Sequence, residues 1–424
     1  MPQPPPDRAA ARGLVTVVGA GTGGGAAVVA GDAALVVGGA RHLAAAELPA
    51  AARQVVLGPL APALDVVGEY VAAGRRVVVL ASGDPGHFGI VRALGERFGA
   101  AALDVRPSVP SVAAAFARVG LSWDDAVVVS AHGRPLRTAV HVCLAHRKAA
   151  VLTGPGAGPA ELGAALDRAG ADRRLVVASG IGSDGESVVA VSPREAARRE
   201  WGGAVSVVLS LRPGLPAGPA VTVAGPPPAP AGWALPEEAF AHRDSMITKS
   251  EVRALALARL GPRTGELVWD VGAGSGSVAV ECARFGAAVV AVDKDADAVE
   301  RVRANAAAHG VDVAAVLGRA PAVLDGLPDP DAVFVGGGGD GVGAVVAACA
   351  ARARRAVVVT LAAVDRVAEV RAALGAAGFA ADGVLLQSSR LAPLPGGVTR
   401  LAAANPVFVL WAERRPGEEE GASA

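Results

Sequence analysis

Leu267-Val268-Trp269-Asp270-Val271-Gly272-Ala273-Gly274-Ser275-Gly276 decides the fold of the C-terminal half. The stretch begins as a short apolar run typical of a buried strand and continues as a glycine-rich turn. A helical pattern then covers Ser277 to Phe285. Glycines let a backbone approach a ligand closely, and the start of a helix presents free N–H groups there. The stretch therefore predicts a Rossmann-like α/β domain with a ligand site at the turn.

The spacing of these glycines separates two classes of cofactor. A dinucleotide fingerprint reads G-x-G-x-x-G, but Ser277 stands at the third glycine position. The pattern G-x-G-x-G, preceded by Asp270, suits S-adenosylmethionine. The next strand, predicted over Ala288 to Val292, ends at Asp293, which is placed to accept hydrogen bonds from ribose hydroxyls. We expect the following residues to contact S-adenosylmethionine: Asp270, Gly272, Ala273, Gly274, Ser275, Gly276 and Asp293.

Two further segments flank the turn. Pro330 to Gly339 predicts the fourth strand and its following loop, where α/β folds place chemistry, and Asp331 is a candidate catalytic residue there. The segment has no Asn-Pro-Pro-aromatic motif, which disfavours methylation of an exocyclic amine. Ahead of the glycine strand, Ile247 to Arg253 opens a helix, for which Thr248 is the predicted N-cap and Glu251 completes a capping box.

The N-terminal half alternates Val-rich strands with helical stretches, which predicts further α/β structure. The predicted strands are Val15 to Val18, Val77 to Leu80, Val127 to Ser130, Ala150 to Thr153 and Leu175 to Ser179. A break at Arg106-Pro107-Ser108 divides this half into two α/β subdomains.

A second glycine loop follows the first strand of the chain. Gly19 to Gly24 satisfies G-x-G-x-x-G, so a nicotinamide-binding domain is a competing interpretation. The strand predicted over Ala34 to Val37 ends in Gly38-Gly39-Ala40, with no acid to hold a ribose, which disfavours that interpretation.

Proline marks the domain boundary. Residues 212–233 are Pro- and Gly-dense and predict an extended connector between a domain at 13–211 and a domain at 234–413. Residues 414–424 are acidic and small, and we expect them to be disordered.

Composition excludes several classes of function. Forty basic and forty acidic residues cancel, so no global field attracts nucleic acid or a membrane surface. The three cysteines are far apart and form no CxxC pair, which argues against a disulfide framework and a zinc site and favours a cytoplasmic protein. The first residues lack the apolar core of a signal peptide.

Taken in order, five segments of the N-terminal half resemble the tetrapyrrole methylase family. They are Val18-Gly19-Ala20-Gly21, Gly38 to Leu43, Ser82-Gly83-Asp84-Pro85, Pro107-Ser108-Val109 and Ser130-Ala131-His132-Gly133-Arg134. Three features depart from the family pattern: Thr22 stands where Pro is usual, Pro110 where Ser is usual, and the chain from Gly24 to Asp32 is several residues shorter.

The C-terminal half resembles a partner methyltransferase, through Ile247 to Arg253, Trp269 to Gly276, Gly318-Arg319-Ala320-Pro321 and Asp329 to Gly338. Both halves on one chain are similar to the family of decarboxylating precorrin-6Y methyltransferases, fused enzymes of cobalamin biosynthesis. The resemblance implies methylation of carbon 5 by the N-terminal half, and decarboxylation with methylation of carbon 15 by the C-terminal half. It also implies a small-molecule tetrapyrrole substrate and a homo-oligomer.

The resemblance carries residue roles as well. It implies further contacts of S-adenosylmethionine with Gly83, Asp84, Pro85, Thr248 and Ala320, and contacts of the tetrapyrrole with Gly19, Gly21, His132 and Arg134.

A substrate with many carboxylates also calls for Arg and Lys side chains. Lys249, Arg253 and Arg134 are our candidates, the first two within the catalytic set. Two alternatives stay open: a nicotinamide oxidoreductase fused to a methyltransferase, and an N-terminal half that only binds.

Overall fold

Three β-sheets flanked by helices organise the chain. The structure is a computed structural model, and it describes residues 15–21, 32–203, 206–214, 232–243, 247–337, 339 and 341–414. The predicted connector falls mainly on residues 215–231, outside the described residues, as do Thr22 to Gly24 and the tail beyond Arg414.

The first sheet is parallel throughout, in the order β3-β2-β4-β1-β5. Its strands are β1 (Val15–Ala20), β2 (Leu35–Gly38), β3 (Arg53–Val56), β4 (Val77–Ser82) and β5 (Leu103–Arg106). Its helices are α1 (Ala40–Ala45), α2 (Leu60–Ala72) and α3 (Val91–Phe98), with a 3₁₀ turn at Ala100–Ala102. Every strand of this sheet therefore presents its carboxyl end at the same edge.

The second sheet is mixed, in the order β6-β7-β10-β8-β9, and only β6 and β7 pair in parallel. Its strands are β6 (Val127–Ser130), β7 (Lys148–Leu152), β8 (Arg174–Ser179), β9 (Ser187–Val191) and β10 (Ser206–Leu211). Its helices are α4 (Ser111–Arg118), α5 (Leu136–Ala145), α6 (Pro159–Arg168) and α7 (Pro193–Arg198). The division predicted at Arg106-Pro107-Ser108 is confirmed, since the first sheet ends there.

The third sheet has the order β13-β12-β11-β14-β15-β19-β16, parallel except at β19. Its strands are β11 (Leu267–Val271), β12 (Ala288–Asp293), β13 (Ala314–Leu317), β14 (Ala332–Val335), β15 (Ala356–Leu361), β16 (Phe379–Leu386) and β19 (Val407–Arg414). A separate hairpin pairs β17 (Ser389–Pro393) with β18 (Thr399–Ala403).

Helices cover both faces of this sheet. They are α8 (Ser250–Leu260), α9 (Ser277–Arg284), α10 (Ala296–Ala308), α11 (Val342–Arg352) and α12 (Val367–Ala376), with 3₁₀ turns at Glu237–Ala239, Ala322–Gly326 and Val364–Arg366. A hydrophobic core lies on each face of this sheet, and alternate residues of β11 point into one or the other. Trp269 packs on the side of α11 and α12, and Val268 packs under α8 and α9. The strand, turn and helix predicted from the sequence are confirmed here.

One local prediction is wrong. Thr248 is not the N-cap of α8, since the cap residue is Lys249 and its side chain makes no capping hydrogen bond. The free N–H of Ser250 donates instead to Oε1 of Glu237 at 2.9 Å. Glu251 instead pairs with Arg390 of β17, Oε2 to Nη2 2.7 Å. The sequence showed a capping-box pattern, but a long-range arginine competes for the glutamate.

No helix within the described ranges is both long and apolar enough to cross a bilayer.

Candidate active site

A cavity of about 480 Å³ opens at the carboxyl ends of β11, β12, β13 and β14. The order of strands reverses on either side of β11, which is the place where α/β sheets bind ligands. Its lining includes Val271, Gly272, Gly274, Asp293, Gly318, Ala320, Gly336 and Gly337. Four of these residues, Gly272, Gly274, Asp293 and Ala320, were predicted from the sequence.

Gly272 permits a close approach between two neighbouring strand ends. Its φ is +76°, and a Cβ added there would lie 2.3 Å from the carbonyl oxygen of Gly336. The amide of Gly336 in turn donates to the carbonyl of Val271 at 2.8 Å. Any side chain at position 272 would therefore push the two loops apart and alter the floor of the cavity.

Asp293 lies on the cavity wall, at the end of β12. Its Oδ2 accepts from the backbone N–H of Gly274 at 2.8 Å, and its Oδ1 accepts from that of Asp295 at 3.0 Å. Each carboxylate oxygen has a second lone pair, so the side chain is held in place and can still accept from a ligand. That geometry suits the predicted contact with ribose hydroxyls.

Asp270 does not reach this cavity. Strand alternation turns its side chain under α9, where it is buried and its Oδ2 accepts from the backbone N–H of Ala279 at 2.9 Å. Burial, with a smaller contribution from the negative charge of Asp293, raises the pKa of Asp270 to about 7. The predicted contact with the cofactor is thus corrected: Asp270 ties the strand to the helix that follows the turn.

The rest of the turn also faces inward. Ala273 packs against the core beneath α8 and α9, and the carbonyl of buried Ser275 accepts from Asn305 Nδ2 at 2.7 Å. A Cβ at Gly276 would lie 2.8 Å from Val302 Cγ2. These three residues shape the turn, and none is among the described residues that line the cavity.

Basic residues stand at the cavity mouth. Lys294 and Arg319 are exposed, line the cavity and have no ion pair with any described residue. Neither residue is among the site residues predicted from the sequence. The signal was present, since each directly follows a strand end or a glycine at the carboxyl edge of the sheet.

Arg253 is not available to a substrate. Its side chain is fully buried, its Nε lies 2.7 Å from Oε1 of Glu281, and its Nη1 donates to the carbonyl of Thr248 at 2.6 Å. The prediction that Arg253 belongs to the catalytic set is corrected on these contacts. Thr248 is held by the same arginine, and neither it nor Lys249 lines the cavity within the described part of the chain.

Asp331 lies at the opposite edge of the sheet from the cavity. It precedes β14, and its Oδ2 accepts from the backbone N–H of Leu267 at 2.8 Å. Its Oδ1 pairs with Arg137 of α5, and His141 of the same helix lies 3.6 Å from Oδ2. Asp331 therefore joins the two halves of the chain, which corrects its predicted catalytic role.

The N-terminal half holds a second cavity, of about 610 Å³, between its two sheets. Five basic side chains line this cavity: Arg41, His42, His87, His132 and Arg134. No carboxylate is among the described lining residues. Such a lining favours an anionic ligand, and it brings together the predicted residues Gly21, His132 and Arg134.

Gly19 and Gly83 lie next to this cavity, but neither is among the described residues that line it. A Cβ at Gly19 would lie 2.0 Å from the carbonyl oxygen of Gly83, so the strand ends can meet only through glycine. The Gly83 amide donates to the carbonyl of Ala20 at 2.9 Å. Gly19, predicted to contact substrate, is thus placed in the packing between β1 and β4.

The Gly-Asp-Pro turn lies next to the same cavity. Asp84 Oδ1 accepts from the backbone N–H of Gly86 at 2.8 Å, and Pro85 is buried. Neither residue is among the described lining, whereas the chain directly after them, from His87 to Ile90, is. Their predicted contact with a cofactor stays a prediction.

One polar cluster on the wall of this cavity was not predicted from the sequence. His42 Nε2 lies 2.8 Å from Ser82 Oγ, and Arg41 Nη2 donates to the same oxygen at 2.6 Å. The clue was available, since Arg41 and His42 fall within the Gly38 to Leu43 segment.

Comparison with known proteins gives two domain matches. Residues 13–197 match the tetrapyrrole (corrin/porphyrin) methylases, and residues 238–414 match the precorrin methyltransferase domain.

Three relatives can be compared along the chain. A precorrin-6Y C(5,15)-methyltransferase (decarboxylating) of Sinorhizobium sp is 38% identical over 296 residues, which is 68% of this chain and 69% of the relative. A protein of the same name from Mycobacterium tuberculosis (strain CDC 1551 / Oshkosh) is 36% identical over 65% of this chain and 67% of its own. A probable cobalt-precorrin-6B C(15)-methyltransferase (decarboxylating) of Pyrobaculum calidifontis is 37% identical over 42% of this chain and 94% of its own.

Proposed function

We propose the following reaction for this chain, which belongs to the decarboxylating precorrin-6Y C(5,15)-methyltransferase family. The enzyme uses S-adenosylmethionine to methylate a precorrin at carbons 5 and 15, and it releases one acetate carboxyl group as carbon dioxide. The observation that carries this proposal is the pair of separate cavities, each at the carboxyl ends of parallel strands and each beside a glycine turn.

The C-terminal cavity fits S-adenosylmethionine on its own residues. Gly272 leaves room where a Cβ would collide, and Asp293 keeps lone pairs for a ribose. When bound, S-adenosylmethionine supplies an electrophilic methyl group. What the protein contributes is position, because a displacement needs its reacting atoms close and aligned, and alignment accounts for much of the rate.

Cationic side chains are the natural partners of the precorrin carboxylates. Arg319 and Lys294 stand at the mouth of the C-terminal cavity, and Arg134 with Arg41 stands in the N-terminal one. Guanidinium groups can bind carboxylates through two parallel hydrogen bonds, which fixes the ring as well as attracting it. Lys249 stays a candidate for the same task, since its side chain pairs with no described residue.

The N-terminal cavity is proposed as the carbon 5 site. The end of β2 carries Gly39, Arg41 and His42 on the cavity wall, and no acid that could hold a nicotinamide ribose. An electropositive wall fits the tetrapyrrole better than it fits a dinucleotide with an acid-bound ribose. We further propose a cytoplasmic location, as the free cysteines Cys143, Cys282 and Cys349 suggest.

Calorimetry on the full chain tests the proposal. We expect S-adenosylmethionine to bind in two equivalents per chain and Asp293→Ala to remove one of them. Asp297→Ala, which changes an exposed acid of α10 outside the cavity lining, is the matched control and should keep both. Tight binding of NADH, or a single equivalent in the unaltered chain, would contradict a methyl-transfer site in each half.

A further inference from the structure

His42 lies on the wall of the N-terminal cavity. It belongs to α1, the residue is 8% exposed, and its Nε2 contacts Ser82 Oγ at 2.8 Å. Its other nitrogen, Nδ1, faces Gly21, where an added Cβ would lie only 3.6 Å away. Because Gly21 has no side chain, no Cβ at that position covers Nδ1, and no hydrogen bond joins Nδ1 to the residues that the structure describes.

The hydrogen bonds to Ser82 allow a tautomer of His42 in which Nδ1 can act. Arg41 can only donate, and its Nη2 occupies one lone pair of Ser82 Oγ at 2.6 Å. The second lone pair of that oxygen can accept the proton of His42 Nε2, whereas in the other tautomer the Ser82 hydroxyl donates to Nε2. In the tautomer with the proton on Nε2, the Nδ1 lone pair is bare, and this is the tautomer that the proposed step uses.

The proposed methylation of carbon 5 requires a group that accepts a proton. A ring carbon that keeps its double bond after gaining a methyl group must release the hydrogen that it carried. We infer that His42 Nδ1 is the proton acceptor for methyl transfer in the N-terminal cavity, an inference that rests on the proposed function.

The step balances with groups already named. The new carbon–carbon bond forms as the sulfonium leaves as a neutral thioether, and the C–H bond on the same carbon then breaks. Its electron pair returns to the ring, and the proton moves to Nδ1. Ser82 and Arg41 are positioning residues, since they hold the imidazole without touching the reacting carbon.

The charge around His42 keeps the imidazole neutral. Burial, followed by the positive charge of Arg41, lowers the pKa of His42 below its ordinary value. The other charged or titratable side chains on the cavity walls are His87, His132 and Arg134, and no described carboxylate lines the cavity to favour the imidazolium. A neutral ring at neutral pH is the form that can accept a proton.

The test compares variants of the full chain with the precorrin and S-adenosylmethionine. His42→Gln keeps a donor for Ser82 but no base, and we expect carbon 5 methylation to fall about 100-fold or more, with carbon 15 methylation and carbon dioxide release retained. Added imidazole should restore carbon 5 methylation in His42→Ala. His309→Gln, outside both cavities, is the control.

Two further readouts separate chemistry from folding. Both His42 variants should bind S-adenosylmethionine in calorimetry as tightly as the unaltered chain does. In the unaltered chain, the rate of carbon 5 methylation should fall with decreasing pH, because His42 becomes protonated. The inference is overturned if His42→Gln methylates carbon 5 normally, if it loses cofactor binding, or if imidazole restores nothing. If the unaltered chain never methylates carbon 5, the proposed function has failed instead.

Discussion

The guanidinium of Arg253 and the carboxylate of Glu281 form an ion pair, Nε to Oε1 2.7 Å, with neither side chain exposed. The same carboxylate accepts from the backbone amides of Ala234 and Leu235, at 2.6 and 2.9 Å. This pair therefore joins α8, α9 and the chain that enters the C-terminal domain.

Loss of this arginine should destabilise the domain. Arg253→Met leaves the charge of Glu281 buried without its partner, so we expect the free energy of unfolding to fall by about 3–5 kcal/mol. Urea denaturation followed by circular dichroism measures it. Arg303→Met, which breaks an exposed pair with Glu300, should change the unfolding curve little. Equal effects of the two substitutions would contradict the structural role given to Arg253.

Gly272→Ala should abolish S-adenosylmethionine binding to the C-terminal cavity. The new Cβ would lie 2.3 Å from Gly336 O at a φ of +76°, so the cavity floor must shift. The control is Gly375→Ala in α12, which meets nothing within 4 Å and should stabilise the helix by up to about 1 kcal/mol. Calorimetry and thermal unfolding check both, and unchanged affinity in Gly272→Ala would show that the cofactor binds elsewhere.

Arg319→Ala should weaken binding of the precorrin and leave the cofactor alone. The side chain lies at the cavity mouth without an ion partner among the described residues, so its loss removes a charge that is free to meet a carboxylate. We expect the KM for the precorrin to rise about tenfold or more, because a lost hydrogen bond to a charged group costs about 1.5–3 kcal/mol. Steady-state kinetics decide, and a raised KM for S-adenosylmethionine instead would assign Arg319 to the cofactor.

Asp331→Asn tests the correction made to the catalytic set. Asp331 pairs with Arg137 across the two halves, and its loss should lower the thermal midpoint of unfolding. Carbon dioxide release per folded enzyme should stay within about twofold, because the residue lies at the sheet edge away from the cavity. A stable variant that no longer decarboxylates would return Asp331 to the catalytic residues.

Acid should weaken the attachment of the β17–β18 hairpin. Hydrogen bonds from Arg390 lower the pKa of Glu237 from 4.5 to about 2. Because the pKa of Glu237 is lower in the folded chain than in the unfolded chain, its ionised carboxylate stabilises the fold at pH values above its unfolded pKa. This stabilisation is lost as the pH falls from about 4.5 towards 2. Glu237→Gln should flatten the fall in unfolding free energy over that window, as urea titrations at each pH would show. If the unfolding free energy of the variant fell with pH as steeply as that of the unaltered chain, the Glu237–Arg390 pair would not be the source of the acid sensitivity.

The sequence was sufficient for the elements that local pattern controls. The short apolar run from Leu267 to Val271 predicts β11, and the glycines with Asp293 predict the turn and its ligand site. What it could not give were contacts between residues far apart in the chain. The sequence does not show that Glu281 lies against Arg253, or that Asp331 lies at the amino end of β14, away from the cavity.

Methyl transfer by both halves of the chain can be measured on the product itself. The full chain is incubated with precorrin-6Y and S-adenosylmethionine labelled with ¹³C in the methyl group, and the product is weighed by mass spectrometry. We expect two labelled methyl groups to be gained and one carbon dioxide to be lost, with both labels on ring carbons by NMR. A product with one methyl group and the same loss of carbon dioxide would contradict this expectation, because only the C-terminal half would then be at work.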